Sequence, residues 1–385
     1  MYRSSMLRSV TSVFTLVFLV FCFIMPVFAQ FESSAGSAIL MEASTGKVLY
    51  EKNADISVPP ASITKVMTLL VAFEAIESGK VTWEDLVPVS EAAWKMGGSK
   101  MFLEVGRKVK LGDIITGISV VSANDGCIAI AEYLYGSENA FVQVMNTRAK
   151  ELGLTKTNFR NCTGLPAEGH AMSAKDIAVL ARYLIERFPR ILEIESIREF
   201  TFNGIIQYNR NPLLGTFQGA DGLKTGWTEE AGYCLVGTAR QNDMRLISVV
   251  LNTPNEKERL IASQELLTYG FKNFQLVKVK KAGEVVGNVE VKNASKQLVP
   301  VKINTDVVLI VPVVNKDSLK DVKLEIVNGP QMLKAPMAAG TAAGKVEGKL
   351  NGETLFSADV FTAEDVSKAN FLQKLWRFIL GIFRR

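Results

Sequence analysis

Hydrophobic positions change their spacing several times along this chain, and each change marks a different kind of element. Residues 37–43 and 47–50 read as two strands, and the Ser44-Thr45-Gly46 turn between them predicts a hairpin. From Ser62 to about Ser78 the period becomes helical: Ile63, Val66, Met67, Leu70, Val71, Phe73 and Ala75 fall at i, i+3, i+4 intervals. Pro59 and Pro60 bar that helix from starting earlier. Residues 80–210 are mostly helical, with 3.6-period patterns over 111–121, 125–135, 138–152 and 173–188. Strands return at 199–202, 233–240 and 244–251, and a helix runs from about Asn255 to Tyr269. The strand-bearing ends are expected to pair into one mainly antiparallel sheet covered by helices. The helical middle then forms a second lobe, with a cleft between the two as the natural site.

From about Phe274 the texture shifts to short alternating strands, with Asn328-Gly329 and Asn351-Gly352 as turn signals. Residues 274–362 read as an independent β-sandwich without a cluster of chemical residues, a spacer or interaction module. The whole is an α+β protein: residues 30–273 as one domain, 274–362 as the second, and a tail over 363–385. In that tail Phe371, Leu372, Leu375, Ile379, Ile382 and Phe383 share one helical face, while Lys374 and Arg377 interrupt it. A membrane-spanning helix needs about 20 mainly apolar residues. The tail is expected instead to lie in an anionic membrane interface, the alternative being a helix packed on its own protein or a partner. Residues 1–29 read as a secretory signal: Arg3 and Arg8, an apolar run over 13–28, and Ala29 before the cut at Gln30. A retained anchor is the alternative there.

Composition narrows the picture further. The 385 residues are 48% hydrophobic, enough for two cored domains. The net charge is +5, but Arg3 and Arg8 give the first end +2 and the last twenty residues carry +5, leaving a near-neutral body at −2. That argues against nucleic acid and for an anionic membrane surface. Cys127, Cys162 and Cys234, the cysteines left after signal removal, form neither a disulfide framework nor a zinc pattern. The single histidine, His170, stands in a Gly169-His170 loop without a nucleophile elbow. A lone histidine argues against a Ser-His-Asp hydrolase, and a zinc carboxypeptidase lacks its ligands.

The candidate chemistry begins with Ser62-Ile63-Thr64-Lys65. A serine needs a base beside it, and on a helix position i+3 brings the Lys65 amine to the Ser62 hydroxyl. A lysine serves if burial and positive neighbours depress its pKa from about 10.4. The helix N-terminus adds partial positive charge where an oxyanion forms. Alone this spacing is common and fits a surface turn equally well. Two further segments change that: Ser122-Ala123-Asn124 on a turn between helices, and Lys224-Thr225-Gly226 leading through Trp227 towards the strand at Tyr233. S-x-x-K, then S-x-N, then K-T-G is a specific ordered triplet of serine acyltransferases.

With these motifs, and with Met101-Phe102-Leu103, residues 141–146, Leu152-Gly153-Leu154 and Asp221-Gly222-Leu223, the chain resembles the low-mass penicillin-binding proteins that are D-alanyl-D-alanine carboxypeptidases. The resemblance covers nearly the whole chain and implies a β-lactamase-like first domain. It implies that Ser62 attacks the peptide carbonyl between the two terminal D-alanines of peptidoglycan stem peptides. Lys65 takes its proton, kept partly neutral by burial and by the charge of Lys224. The backbone N–H groups of Ser62 and Trp227 form an oxyanion hole, each donor worth roughly 3 kcal/mol. Ser122 relays a proton to the leaving amine, and Asn124 hydrogen-bonds Lys65 and the substrate amide. Lys224, Thr225, Gly226 and the distal cation Arg259 bind the substrate carboxylate end. No cofactor is implied, and β-lactam antibiotics would acylate Ser62 by the same route. Trp227 departs from the histidine common after K-T-G in the family. Competing readings are a D,D-endopeptidase cutting cross-links, a silent envelope scaffold, and a class A β-lactamase. The last uses a glutamate-held water, and Glu168, the one acid in 164–169, stands in surroundings unlike that glutamate's.

Overall fold

The computed structural model describes residues 31–328 and 333–382. The signal reading over 1–29, the Gly329 half of one turn signal and residues Phe383 to Arg385 lie outside the described residues. In chain order, β1 (Ser37–Glu42) and β2 (Val48–Lys52) come first. A 3₁₀ turn at Ala61–Thr64 then leads into α1 (Lys65–Glu77). The helical stretch contributes α2 (Leu111–Val120), α3 (Asn124–Tyr135), α4 (Glu138–Glu151), α5 (Ala174–Arg187) and the short α6 (Arg190–Glu195). There follow β3 (Glu199–Phe202), β4 (Ile205–Tyr208), β5 (Ala220–Thr228), β6 (Gly232–Gln241), β7 (Met244–Thr253) and α7 (Glu256–Asn273).

The two ends of the domain pair as expected. The main sheet runs β2-β1-β7-β6-β5, antiparallel throughout, with Ser37 opposite Leu251 and Glu42 opposite Leu246. Two expectations are corrected. Strand β3 is outside this sheet and pairs only with β4 as a separate ribbon. The K-T-G stretch is no lead-in loop but lies within the edge strand β5, Lys224 opposite Val236 and Trp227 opposite Tyr233. Its Asp- and Gly-rich sequence has little strand propensity; pairing with the apolar β6 overrides that.

Alternation decides which side of the sheet each residue serves. Ile39, Met41, Val236, Ile247, Val249 and Leu251 enter the core shared with the helical lobe. Leu40 and Leu246 face α7 instead, close to Gly270, where a β-carbon would stand 2.8 Å from Leu40 Cδ2 and 2.5 Å from Leu246 Cδ1. Helix α1 is buried on every side from Val66 to Phe73, Thr68 included, so it is a core helix rather than an amphipathic one. Ser137, Ser173 and Asn255 cap α4, α5 and α7 by accepting N–H bonds from Ala140, Asp176 and Glu258, caps typically worth about 1 kcal/mol each.

Beyond α7 come β8 (Phe274–Lys280), β9 (Val285–Glu290), β10 (Leu298–Ile303), β11 (Val307–Pro312), β12 (Lys323–Asn328), β13 (Ala342–Leu350) and β14 (Glu353–Thr362). A five-stranded sheet, β9-β10-β14-β13-β12, is backed by the two-stranded ribbon β8-β11, around a core that includes Val289, Val301, Ile303, Val346 and Val360. The Asn351-Gly352 signal holds: both residues have positive φ (51° and 87°), as a tight hairpin between β13 and β14 requires. Within the tail the helix α8 (Phe371–Ile382) starts after Asn370, whose side chain accepts the Gln373 N–H. Arg377 turns back onto the β-domain, donating to the carbonyls of Ala294 and Ser295 at 2.7 Å each. Phe371, Leu372 and Trp376 are exposed. Among the described residues no helix is long and apolar enough to cross a membrane.

Candidate active site

Ser62 lies in the 3₁₀ turn rather than on the α-helix, one residue after Ala61, which has a left-handed φ of 48°. Lys65 opens α1 and is fully buried; its Nζ stands 2.8 Å from Ser62 Oγ and donates to Thr163 O at 2.6 Å. No carboxylate pairs with it among the described residues. Burial pushes the amine's pKa down, and the Arg210 charge adds to this, against weaker opposition from Cys127, Cys162 and Asp125. Arg210, a residue the sequence gave no reason to single out, thus joins Lys224 as a positive neighbour of this amine.

The S-x-N turn supplies the next wall. Ser122 is held at a φ of 63° between α2 and α3, nearly buried, and its Oγ has no hydrogen-bond partner among the described residues. Asn124 departs from expectation: its Nδ2 donates to Gly97 O at 2.8 Å, and no hydrogen bond joins it to Lys65, whose amine is taken by Ser62 and Thr163. The neighbouring Asp125 accepts the N–H groups of Met101 (3.1 Å), Leu103 (3.0 Å) and Gly126 (3.0 Å). Together Asn124 and Asp125 clamp the 97–103 loop, and with it Ser99, along the cleft.

The third wall is β5. Lys224 is buried, and its Nζ donates to Thr225 O at 3.1 Å. Burial first and the Lys65 charge second push its pKa down, while the Glu195 carboxyl opposes them. Glu195 itself, at the end of α6, is buried with Oε2 unpartnered among the described residues, and burial raises its pKa. An acid beside Ile191 and Ile194 on a helix's buried face was the one clue to it. The strand is fixed from behind by Arg245, whose two nitrogens reach both Asp221 oxygens at 2.7 Å. At Gly226 a β-carbon would sit 3.0 Å from Pro60 O and 3.2 Å from Ser62 N. Only glycine lets β5 lie this close to the Ser62 turn.

Trp227 projects beyond, half exposed, its ring 5.8 Å from Tyr233. Arg259 lies 5.6 Å over Tyr233 with Nε unpartnered among the described residues, and its Nη2 is 3.8 Å from the Glu256 carboxylate. A cleft of about 810 Å³ is lined by Ser62, Ser122, Thr225, Gly226, Trp227, Arg210 and Arg259. Lys65, Asn124 and Lys224 stand behind these. A buried serine–lysine pair, a second serine with a free hydroxyl and two cations around one cleft can carry out acyl transfer to serine from a substrate ending in a carboxylate.

The sequence model of the D-alanyl-D-alanine carboxypeptidases matches residues 26–255. The chain belongs to that family. A second model, the C-terminal domain of penicillin-binding protein 5, matches residues 274–368. The D-alanyl-D-alanine carboxypeptidase DacF of Bacillus subtilis is 37% identical over 354 residues, 91% of this chain and 90% of that protein. DacC of Escherichia coli is 38% identical, covering 90% of this chain and 88% of the relative. Among solved structures, penicillin binding protein 5 from Haemophilus influenzae superposes with a TM-score of 0.80 at 36% identity, over 88% of this chain and 99% of that one. As a member of this family the protein is a serine-type carboxypeptidase that works on the cell wall, outside the cytoplasm.

Proposed function

We propose that Ser62 is the nucleophile of this carboxypeptidase and Lys65 its general base. The observation that carries this is the buried Lys65 amine, 2.8 Å from Ser62 Oγ and, among the described residues, with no carboxylate in ion-pair contact. The neutral amine takes the Ser62 proton as Oγ attacks the carbonyl between the terminal D-alanines. The oxyanion is met by the N–H groups of Ser62 and Trp227, which the close approach at Gly226 brings alongside one another. The C–N bond breaks, and the leaving D-alanine nitrogen takes a proton through Ser122, whose hydroxyl is uncommitted. Water then attacks the acyl-serine, releasing the shortened stem and restoring Ser62. Thr225, Arg210 and Arg259 receive the substrate's terminal carboxylate, with Lys224 adding positive charge behind them. Asn124, held by Gly97, positions the loop and presents its remaining polar atom to the substrate amide. β-Lactams, whose strained amide mimics the scissile bond, acylate Ser62 by the same first step.

Exported, the enzyme attaches peripherally to an anionic membrane surface through α8. The exposed Phe371, Leu372 and Trp376 support this reading. The function is tested by mass spectrometry of the protein with a pentapeptide ending in D-Ala-D-Ala and, separately, with penicillin. Release of one D-alanine and a penicilloyl adduct on Ser62 are expected. Cleavage of a cross-linked bridge peptide without D-alanine release would establish the endopeptidase instead. A chain lacking residues 367–385 is expected to be active and unattached, and its persistence on anionic vesicles would refute the tail's role.

A further inference from the structure

The loop over 158–170 is bound to the nucleophile's helix at three successive points. Lys65 donates to Thr163 O, Thr68 to Cys162 O at 2.7 Å, and Thr64 Oγ1 lies 2.8 Å from His170 Nε2. The last contact has a forced direction. His170 Nδ1 accepts the Arg160 N–H at 3.2 Å, so a neutral ring carries its proton on Nε2 and donates it to Thr64. The single Thr64 hydroxyl proton is then free for Ala61 O, which it meets at 2.9 Å. Arg160 N–H, the imidazole, the Thr64 hydroxyl and the Ala61 carbonyl thus form one relay with every proton assigned. It ends on the residue whose left-handed backbone sets the direction of Ser62. For an alanine that conformation is strained and persists only where its surroundings hold it. Gly164 closes the same joint: a β-carbon there would fall 1.8 Å from Ala61 O.

We propose that His170 is a positioning residue for acylation, holding the strained Ala61-Ser62 turn through Thr64 so that the Ser62 hydroxyl stays in line with Lys65. This rests on the reading of Ser62 as nucleophile. The relay requires a neutral ring, since a proton on Nδ1 would face the Arg160 N–H. The surroundings keep it neutral: burial first and the Arg160 charge second lower the ring's pKa from 6.5 to about 4. Glu230 lines the small cavity shared by His170 and Ala61, Glu168 on the same loop is exposed, and Lys65 is turned towards Ser62 and Thr163. In acid the relay opens and the turn is released.

The test is the rate of acylation by a fluorescent penicillin across pH 3.5 to about 9, for the full chain and two variants. His170→Asn keeps an acceptor near Nδ1 but cannot reach Thr64, whereas His170→Gln places an amide N–H near Nε2 and does not titrate. At neutral pH, H170N is expected to acylate at least about tenfold more slowly with little change in initial penicillin binding, and H170Q to recover most of that loss. H170Q is also expected to lack the wild-type fall in rate near the histidine pKa. A folded H170N acylating within about twofold of wild type overturns the proposal, as does H170Q with an unchanged acid limb. If H170N does not fold, Thr64→Val against Thr64→Ser decides in its place: equal rates overturn the relay, and loss in T64V alone supports it. Failure of the catalytic reading looks different, because the unaltered protein would then take no penicillin on Ser62, and both readings would fall.

Discussion

Asp125 is the residue whose removal the structure prices most clearly. Its carboxylate is 1% exposed and accepts two long-range backbone bonds, from Met101 at 3.1 Å and Leu103 at 3.0 Å, besides the local one from Gly126. Bonds to a charged acceptor contribute about 1.5–3 kcal/mol each, and a buried donor left unpaired costs a similar amount. Two such losses give about 3–6 kcal/mol; some water reaching the loop brings the expectation for Asp125→Ala to about 3–4 kcal/mol. Asp125→Asn keeps the shape and one acceptor oxygen but turns an amide donor towards the other N–H, for an expected cost of about 2 kcal/mol. Met101 and Leu103 are themselves buried, and Met101 Sδ would lie 2.6 Å from a β-carbon on Gly117. The loop therefore cannot shift without disturbing α2. Urea unfolding followed by tryptophan fluorescence measures the loss, since Trp83, Trp94 and Trp227 all lie in the first domain. Acylation should also slow, because Ser99, which borders the cleft, is carried by the same loop. Both variants unfolding within about 0.5 kcal/mol of wild type would refute this account of the clamp.

Three other outcomes follow from the same geometry. Because burial lowers the Lys65 pKa from 10.5, the neutral amine is gained as pH rises, so the penicillin acylation rate should climb with pH through that lowered value and level off above it. The unfolded chain binds that proton more tightly, so this residue's contribution to stability also rises with pH up to the unfolded pKa; a flat profile from neutral to alkaline pH would contradict it. Glu195→Gln removes the carboxyl that props up the Lys224 charge, so Lys224 should lose its proton at lower pH. The alkaline fall in D-alanine release should then move to lower pH, and an upward move would show that Lys224 acts uncharged. Gly164→Ala forces a β-carbon onto Ala61 O; it should abolish acylation even where circular dichroism reports a folded chain, and retained acylation would mean the joint yields.

Much of this fold was legible because its strongest signals are periodic. The hairpin of β1 and β2, helices α2 to α5 and the strands β6 and β7 fell within a residue or two of their patterns. Strand β5 was not, because Asp221, Gly222 and Gly226 are there for site geometry rather than for strand formation. The serine–lysine pair was legible as spacing, since three residues of helix or 3₁₀ turn place the two side chains together either way. Arg210, Glu195 and the role of His170 were not, for a shared reason. Each acts across the chain, from a loop or helix end whose partner lies far away in sequence, and no local pattern records that. His170 stands in a loop without a nucleophile elbow, which describes its sequence neighbours and carries no word of Thr64, beside which the chain folds it.

Strand β5 ends the main sheet, paired on one side with β6 and facing the cleft on the other. An open sheet edge is ordinarily a hazard, an invitation for any extended chain to pair with it. Here the Ser62 turn presses against it at Gly226 and leaves only a short length of it bordering the cleft. A stem peptide lying there would extend the enzyme's own sheet by one strand, gripped by main-chain atoms that every peptide possesses. Discrimination then falls to the few side chains at the end of that short groove. A grip of that kind would be blind to the stem's side chains, and it would leave the site open to any rigid amide that fits between the strand and the serine.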